Sequence, residues 1–259
     1  MFTSKSAVAL QIGNIAAFAI TLIVNGLAST ATLGGKTTAQ ISDQYNTLIT
    51  PAGYVFAIWG IIYALLAVFV VYQALPSKKE KPFHQQISAL FILGSAFNVA
   101  WIFLWQYGYI LLSVAPIVAL WGSLAAIYLR LKIGKTNAPL GEKACVQLPF
   151  SVYFAWITAA TAADIAAAVS YAGWIKWTAA DAVWAIVAAA AILTVTLVVV
   201  AARRDVAFGL VVIWALVGIA VKQGATPNVV YTAEAEVIIV AVALIVAILR
   251  SMMKTSKKP

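Results

Sequence analysis

Long apolar stretches fill most of this chain, and its few charges gather in the gaps between them. The basic residues gather in every second gap. That alternation constrains the fold more than any single motif, because it requires lipid as solvent and a fixed orientation within it. Hydrophobic residues make up 64% and charged residues 10%. A soluble domain carries about 25% charged residues, so a soluble surface is excluded. A hydrocarbon core about 30 Å thick needs ~20 apolar residues per helix. Eight stretches are read this way: 6–29, 52–75, 87–106, 109–130, 146–169, 179–202, 206–222 and 231–250. The seventh is the shortest. A membrane β-barrel would show ~10-residue alternating segments instead of continuous runs. The expected fold is therefore all-α, a polytopic transmembrane bundle of about eight helices. The first stretch follows Lys5 and carries Gln11, Asn14 and Asn25. It is too long for a signal core and shows no small-residue cleavage site, so it is read as a helix.

Eight spans place both termini on one side. With the N-terminus inside, the inner segments hold 14 of the 17 basic residues, and the outer ones hold only Lys36, Lys176 and Lys222. The positive-inside rule supports this count and puts both termini in the cytoplasm, with a bacterial inner membrane as the expected setting. The net charge of +9 is then topological, and no nucleic-acid partner is read from it. Inner loops of this sign also attract anionic lipid. The single Cys145 excludes an internal disulfide.

Residues 30–50 form the one long loop, on the outer side, as a lid or a plain connector. It ends at Thr50-Pro51, a helix start with Thr as cap and Pro in the first turn. Pro116 and Pro149 are expected to bend the fourth and fifth spans. The fifth and sixth spans are rich in alanine and are expected to pack closely, on each other or across a homodimer. Trp174, Trp177, Tyr171 and Trp184, and a second set of Trp105, Tyr107 and Tyr109, read as interfacial anchors. Within the spans, Phe56, Trp59 and Tyr63 share one helical face, as do Asn98, Trp101 and Trp105, and Tyr153, Trp156 and Ala160. Such stripes either pack helices together or line a flat apolar pocket with one polar contact.

The run from Tyr45 through Pro51, Val55-Phe56, Trp59 and Tyr63 resembles the segment entering the second helix of the TspO/MBR family. These are the tryptophan-rich sensory proteins, related to the translocator protein or peripheral benzodiazepine receptor. The stretch from Leu90 through Asn98 to Trp101 is similar to the family's third helix. Trp121 and Leu148-Pro149-Phe150 fall where similar residues are expected. The resemblance covers roughly 8–170. It implies a five-helix bundle over 1–170 whose pocket is capped by the first loop, with three additional helices over 171–259. It also implies binding of flat or bulky apolar ligands: porphyrins, sterols and benzodiazepine-type drugs. Trp59, Asn98 and Trp101 match the pocket-side pattern and Tyr45 the loop tyrosine. Tyr153 stands where the family carries Trp, and Trp156 follows one turn later.

Asp181, Glu234 and Glu236 are placed at helix N-termini, which favour carboxylates. Asp164 lies inside the fifth span, where an Asp costs about 2.5–3.5 kcal/mol. Lys176, Lys222, water or protonation is expected to compensate it, at the outer rim of the pocket. The expected ligand site is thus Tyr45, Phe56, Trp59, Tyr63, Asn98, Trp101, Tyr153, Trp156 and Asp164. The chain has one histidine, His84, so no catalytic triad or metal cage is expected, and no cofactor. The expected function is a receptor or carrier for an apolar ligand. The alternatives are a proton-coupled transporter using Asp164 with Glu234 or Glu236, and a structural or chaperone-like subunit.

Overall fold

The computed structural model describes residues 4–255 apart from Asn46 and Ser88. Lys257 and Lys258, counted above among the inner charges, lie outside the described residues, as do the side chains of Lys5 and Lys254. The helices are α1 (Ser4–Ser29), α2 (Thr38–Gln44), α3 (Ile58–Ala74), α4 (Phe83–Ile87), α5 (Leu90–Gln106), α6 (Ile110–Arg130), α7 (Leu140–Glu142), α8 (Leu148–Tyr171), α9 (Ala182–Arg203), α10 (Val206–Lys222) and α11 (Pro227–Thr255). There is no strand among the described residues. Six helical runs are long and apolar enough to cross a membrane, and α5 and α10 are shorter apolar helices. Together these are the eight stretches expected from hydropathy. The protein is an all-α, polytopic integral membrane bundle.

Helix α5 packs against α1 and α6, α8 against α6, α10 and α3, and α11 against α10 and α9. Helices α8 and α9 touch over a short stretch, where Ala162 and Ala166 share a buried cluster with Ala182 and Ala185, while most of α8 packs on α6 and α10 and most of α9 on α11. One buried core runs from Ala28 on α1 to Leu216 on α10 and includes Phe69, Ile117, Phe150 and Phe208.

Charged and amide side chains pin the bundle at the end where α3, α6, α9 and α11 terminate, called here the basic end. Asp205 accepts from the backbone N–H of Phe208 at 3.1 Å, capping α10, and from the hydroxyls of Tyr128 (2.8 Å) and Ser151 (2.7 Å). One carboxylate so joins α6, α8 and α10. Gln73, fully buried on α3, holds α1: the Gln11 amide donates to its carbonyl at 2.5 Å, and the Asn14 amide to its Oε1 at 3.1 Å. In lipid such amide pairs hold helices where apolar packing gives little preference.

Three boundaries differ from the sequence reading. The chain before α3 is a 3₁₀ turn over Gly53–Ala57 with Ala52 as cap. Thr50 is not the cap, because its hydroxyl meets that of Thr47 at 2.8 Å. Pro149 sits in the first turn of α8, after a π turn over Lys143–Gln147. Proline offers no N–H and its ring crowds the carbonyl four residues back, which a widened turn accommodates. Finally, α11 starts at Pro227, so Glu234 and Glu236 stand about two turns inside it, not at its N-terminus.

Candidate functional site

At the end opposite the basic one, residues 30–52 fold over the bundle. Thr37 caps α2 in a reciprocal capping box with Gln40: the Gln40 backbone N–H donates to the Thr37 hydroxyl at 3.2 Å, and the Thr37 N–H to Gln40 Oε1 at 2.8 Å. The Gln106 amide at the end of α5 donates to the carbonyls of Leu33 and Lys36, each at 2.9 Å. Gly34 makes this turn possible. Its φ is +76°, and a Cβ there would lie 2.6 Å from the Gln106 carbonyl oxygen. From the other side α10 grips the same segment. The Ala52 N–H donates to Gly218 O at 3.0 Å, the Trp214 indole to Val55 O at 3.0 Å, and the Gln223 amide to Thr47 O and Thr50 O. Lys222 pairs with Asp43 at 2.8 Å. Lys222 is thus engaged with the lid and does not serve Asp164.

Beneath this lid Trp59 is the hub of an aromatic cluster. Its ring stacks on Tyr63 (5.5 Å between centroids, 15° between planes) and on Trp101 (6.1 Å, 29°). It meets Tyr153 and Trp156 edge-on at 6.0 and 6.1 Å, and Phe56 packs on Trp156 at 6.0 Å. Asn98, fully buried, donates to the Tyr153 hydroxyl at 3.1 Å and accepts from the Asn25 amide at 2.6 Å. Asp164 is 2% exposed. The Trp101 indole donates to its Oδ1 at 3.1 Å, and Ser113 Oγ lies 3.1 and 3.2 Å from its two oxygens. A hydrogen bond to a charged group contributes about 1.5–3 kcal/mol. The Trp101 indole so offsets part of the roughly 2.5–3.5 kcal/mol cost of an Asp within a span, while the one Ser113 hydroxyl proton is shared with Ile110 O at 2.8 Å. Neither Lys176 nor Lys222 is the compensating group.

Two spaces adjoin Trp59. On one side a chamber of about 40 Å³ is lined by Trp59, Trp101, Trp156 and Asp164, with Ala189 of α9 and Ala215 of α10 completing the wall. On the other, a cleft of about 580 Å³ opens between α1 and α3 beneath α2, lined by Leu22, Asn25, Gly26, Phe56, Trp59 and Tyr63 among others. Ligand pockets run roughly 300–1,000 Å³. The chamber has space for little more than water, whereas the cleft is of ligand size. Of the nine expected residues, Phe56, Trp59 and Tyr63 line the cleft. Phe56, Trp59, Trp101, Trp156 and Asp164 line the chamber. Asn98 and Tyr153 form the polar backing behind Trp59. Tyr45 belongs to the lid, at the end of α2, with its ring 6.1 Å from that of Trp105 and 6.2 Å from that of Tyr171. Partial burial, and then the neighbouring Tyr171 phenol, raise the pKa of Tyr45.

Sequence reasoning missed several members. Trp105, expected as an interfacial anchor, is 3% exposed and donates to Thr38 O at 3.3 Å. The lid covers it. Trp177 is also buried, turned inward by a left-handed backbone (φ +55°), while Trp174, Trp184 and Tyr171 are exposed as expected. Asn25, Gln106 and Ser113 complete the polar contacts. Two polar atoms in the cluster, Trp156 Nε1 and Tyr63 Oη, are buried with no partner among the described residues. No group of three His, Cys, Asp or Glu side chains among the described residues could hold a metal ion.

A family model described as TSPO-like protein matches residues 11–249. The chain belongs to the TSPO-like family. The TSPO-like match runs through α9, α10 and α11, well past the motif resemblance that ended near residue 170. No curated protein and no solved structure matches the chain.

Proposed function

We propose that this TSPO-like protein binds a flat, apolar ligand of the tetrapyrrole or sterol kind in the cleft between α1 and α3. One observation carries the reading: a space of about 580 Å³ backed by the stacked Trp59–Tyr63 pair. Stacked aromatic faces suit a flat ring system, which would gain dispersion and area burial along its whole face. Leu22 and Gly26 of α1 form the opposite bank. Asn25 supplies the one amide, itself held by Asn98. The filled chamber on the far side of Trp59 argues for a packing role for Trp101 and Trp156. The binding reading therefore rests on the cleft. With the basic end taken as cytoplasmic, the cleft lies in the outer half of the bilayer.

Gly60 allows a clean test, because a Cβ there meets nothing within 4 Å. Purified protein titrated with protoporphyrin should show saturable quenching of Trp fluorescence. Gly60→Phe should weaken it at least tenfold, about 1.4 kcal/mol, by filling the space, and Trp59→Ala should weaken it by removing the stacking face. Absence of saturable quenching, or quenching indifferent to both changes, contradicts the proposal.

A second reading, proton-coupled transport, draws on Glu236, a buried carboxyl on α11 whose Oε2 has no partner among the described residues. It requires that Asp164→Asn or Glu236→Gln abolish pH-dependent flux in vesicles, and unchanged flux in both removes it.

A further inference from the structure

At the basic end, between the last turns of α9 and α11, lies a groove of about 190 Å³ that takes no part in the lid, the cluster or the cleft. Its floor is apolar: Leu197, Val200 and Ala201 from α9, and Ala243, Val246 and Ala247 from α11. Arg204 and Arg250 complete its lining, and both are exposed. A strip of apolar side chains ending in two guanidiniums at the level where helices leave the bilayer complements an amphiphile with an anionic head.

The two arginines have no anion of their own. The one ion pair among the described residues is Lys222–Asp43, at the opposite end of the bundle. Asp205, next in sequence to Arg204, is fully engaged with Tyr128, Ser151 and the α10 N-terminus. Arg203 shows what a structurally employed arginine looks like here. Its guanidinium lies 5.3 Å from the Tyr128 ring centroid and donates to Ile133 O at 3.3 Å. Arg204 makes no such contact. It also occupies a left-handed backbone position (φ +54°) at the C-terminus of α9, where glycine or asparagine is the unstrained choice. An arginine kept where its backbone is disfavoured, beside a second one across an apolar groove, points to a ligand.

We propose that this groove binds an anionic phospholipid, its headgroup phosphate held between Arg204 and Arg250 and one acyl chain lying on Leu197, Ala201, Ala243 and Val246. Guanidinium forks pair bidentately with phosphate oxygens, and basic pockets between transmembrane helices on the cytoplasmic side bind such headgroups. The site is independent of the cleft and of the ligand proposed for it. Its occupant would bridge α9 to α11.

Native mass spectrometry of the purified full chain tests this, with dioleoyl phosphatidylglycerol and dioleoyl phosphatidylcholine in competition. The expected result is at least a tenfold preference for phosphatidylglycerol that excess glycerol phosphate does not displace, since a headgroup without chains lacks the apolar seat. Arg204→Asn combined with Arg250→Gln should reduce the preference below twofold. Asparagine suits the left-handed position better than arginine, so this variant keeps its fold, which an unchanged Tm confirms. Ala243→Phe should lower the preference while leaving both arginines in place. Arg130→Gln, an exposed charge at the same end, should leave it unchanged. Equal binding of the two lipids, displacement by glycerol phosphate, an unaltered preference in the double variant, or a comparable loss in Arg130→Gln would each overturn the proposal.

Discussion

The two sides of Trp59 are built from opposite materials. Toward α5 and α8 it faces Trp101, Tyr153 and Trp156, and those rings fill the space down to about 40 Å³. Toward α1 it faces Gly26, Gly60, Ala57 and Ala39, and about 580 Å³ stays open. Aromatic residues at helical spacing thus mark a wall, and the small residues around its other face, on α1, α2 and beside Trp59 itself, decide where the room is. The ties of α1 explain why the cleft persists. It is bound to Gln73 of α3 at the basic end and to Asn98 of α5 higher up. The cleft opens at the level of the Asn25 tie and beyond it, against Leu22, Gly26 and Ser29 of α1.

The closed side should be the more sensitive to added bulk. Gly218 sits so near the lid that a Cβ would lie 2.1 Å from Val55 Cγ2. Gly218→Val is expected to destabilise the protein by about 3 kcal/mol, the upper range for overpacking, as measured by the thermal midpoint in detergent. Gly60→Ala, facing open space, is expected to change it by less than about 1 kcal/mol. A similar loss from both would erase the contrast. Asp164→Leu comes next: it strands the Trp101 indole, at about 1–3 kcal/mol, while the Ser113 hydroxyl keeps its bond to Ile110 O at 2.8 Å. Protoporphyrin affinity in that variant should stay within about threefold of the parent, less than 1 kcal/mol, because the acid lines the chamber and not the cleft.

The smallest expected effect lies in the connection between α3 and α5. His84 on α4 is buried beside Phe83, with Nε2 3.1 Å from Lys78 O. Burial lowers its pKa, only partly countered by that carbonyl. The unfolded chain, near the ordinary value of about 6.5, then binds the proton more readily than the folded one. Stability contributed by neutral His84 is complete above that value and declines as pH falls toward the lowered folded one. Melting curves between pH 5 and 8 should show this loss, and His84→Gln should flatten it.

Much of the architecture was legible, because hydropathy and the segregation of charge both report on the same solvent. The eight apolar helices lie where the apolar runs lie. The lid was less so. Thr37 and Gln40 carry a capping box that announces α2, a signal readable from spacing alone, yet the segment reads as loop by its polarity. Trp105 and Trp177 could not be told from anchors by their place at span ends, since what buries them is chain that folds back over them. Asn25 illustrates the other limit. A helical face predicts which residues look the same way, but not that Asn25 on α1 meets Asn98 on α5, nor that the Trp side of the cluster is packed shut. Those facts depend on how neighbouring helices dock, which periodicity within one helix does not contain.

The central claim is that ligand room lies on the α1 side of Trp59. A structure of the purified protein saturated with protoporphyrin tests it most directly. Density stacked on Trp59 and Tyr63, between Leu22 and Gly26 of α1 and Gly60 of α3, is the predicted result. Density lodged among Trp101, Trp156 and Asp164, with the cleft unoccupied, would contradict it.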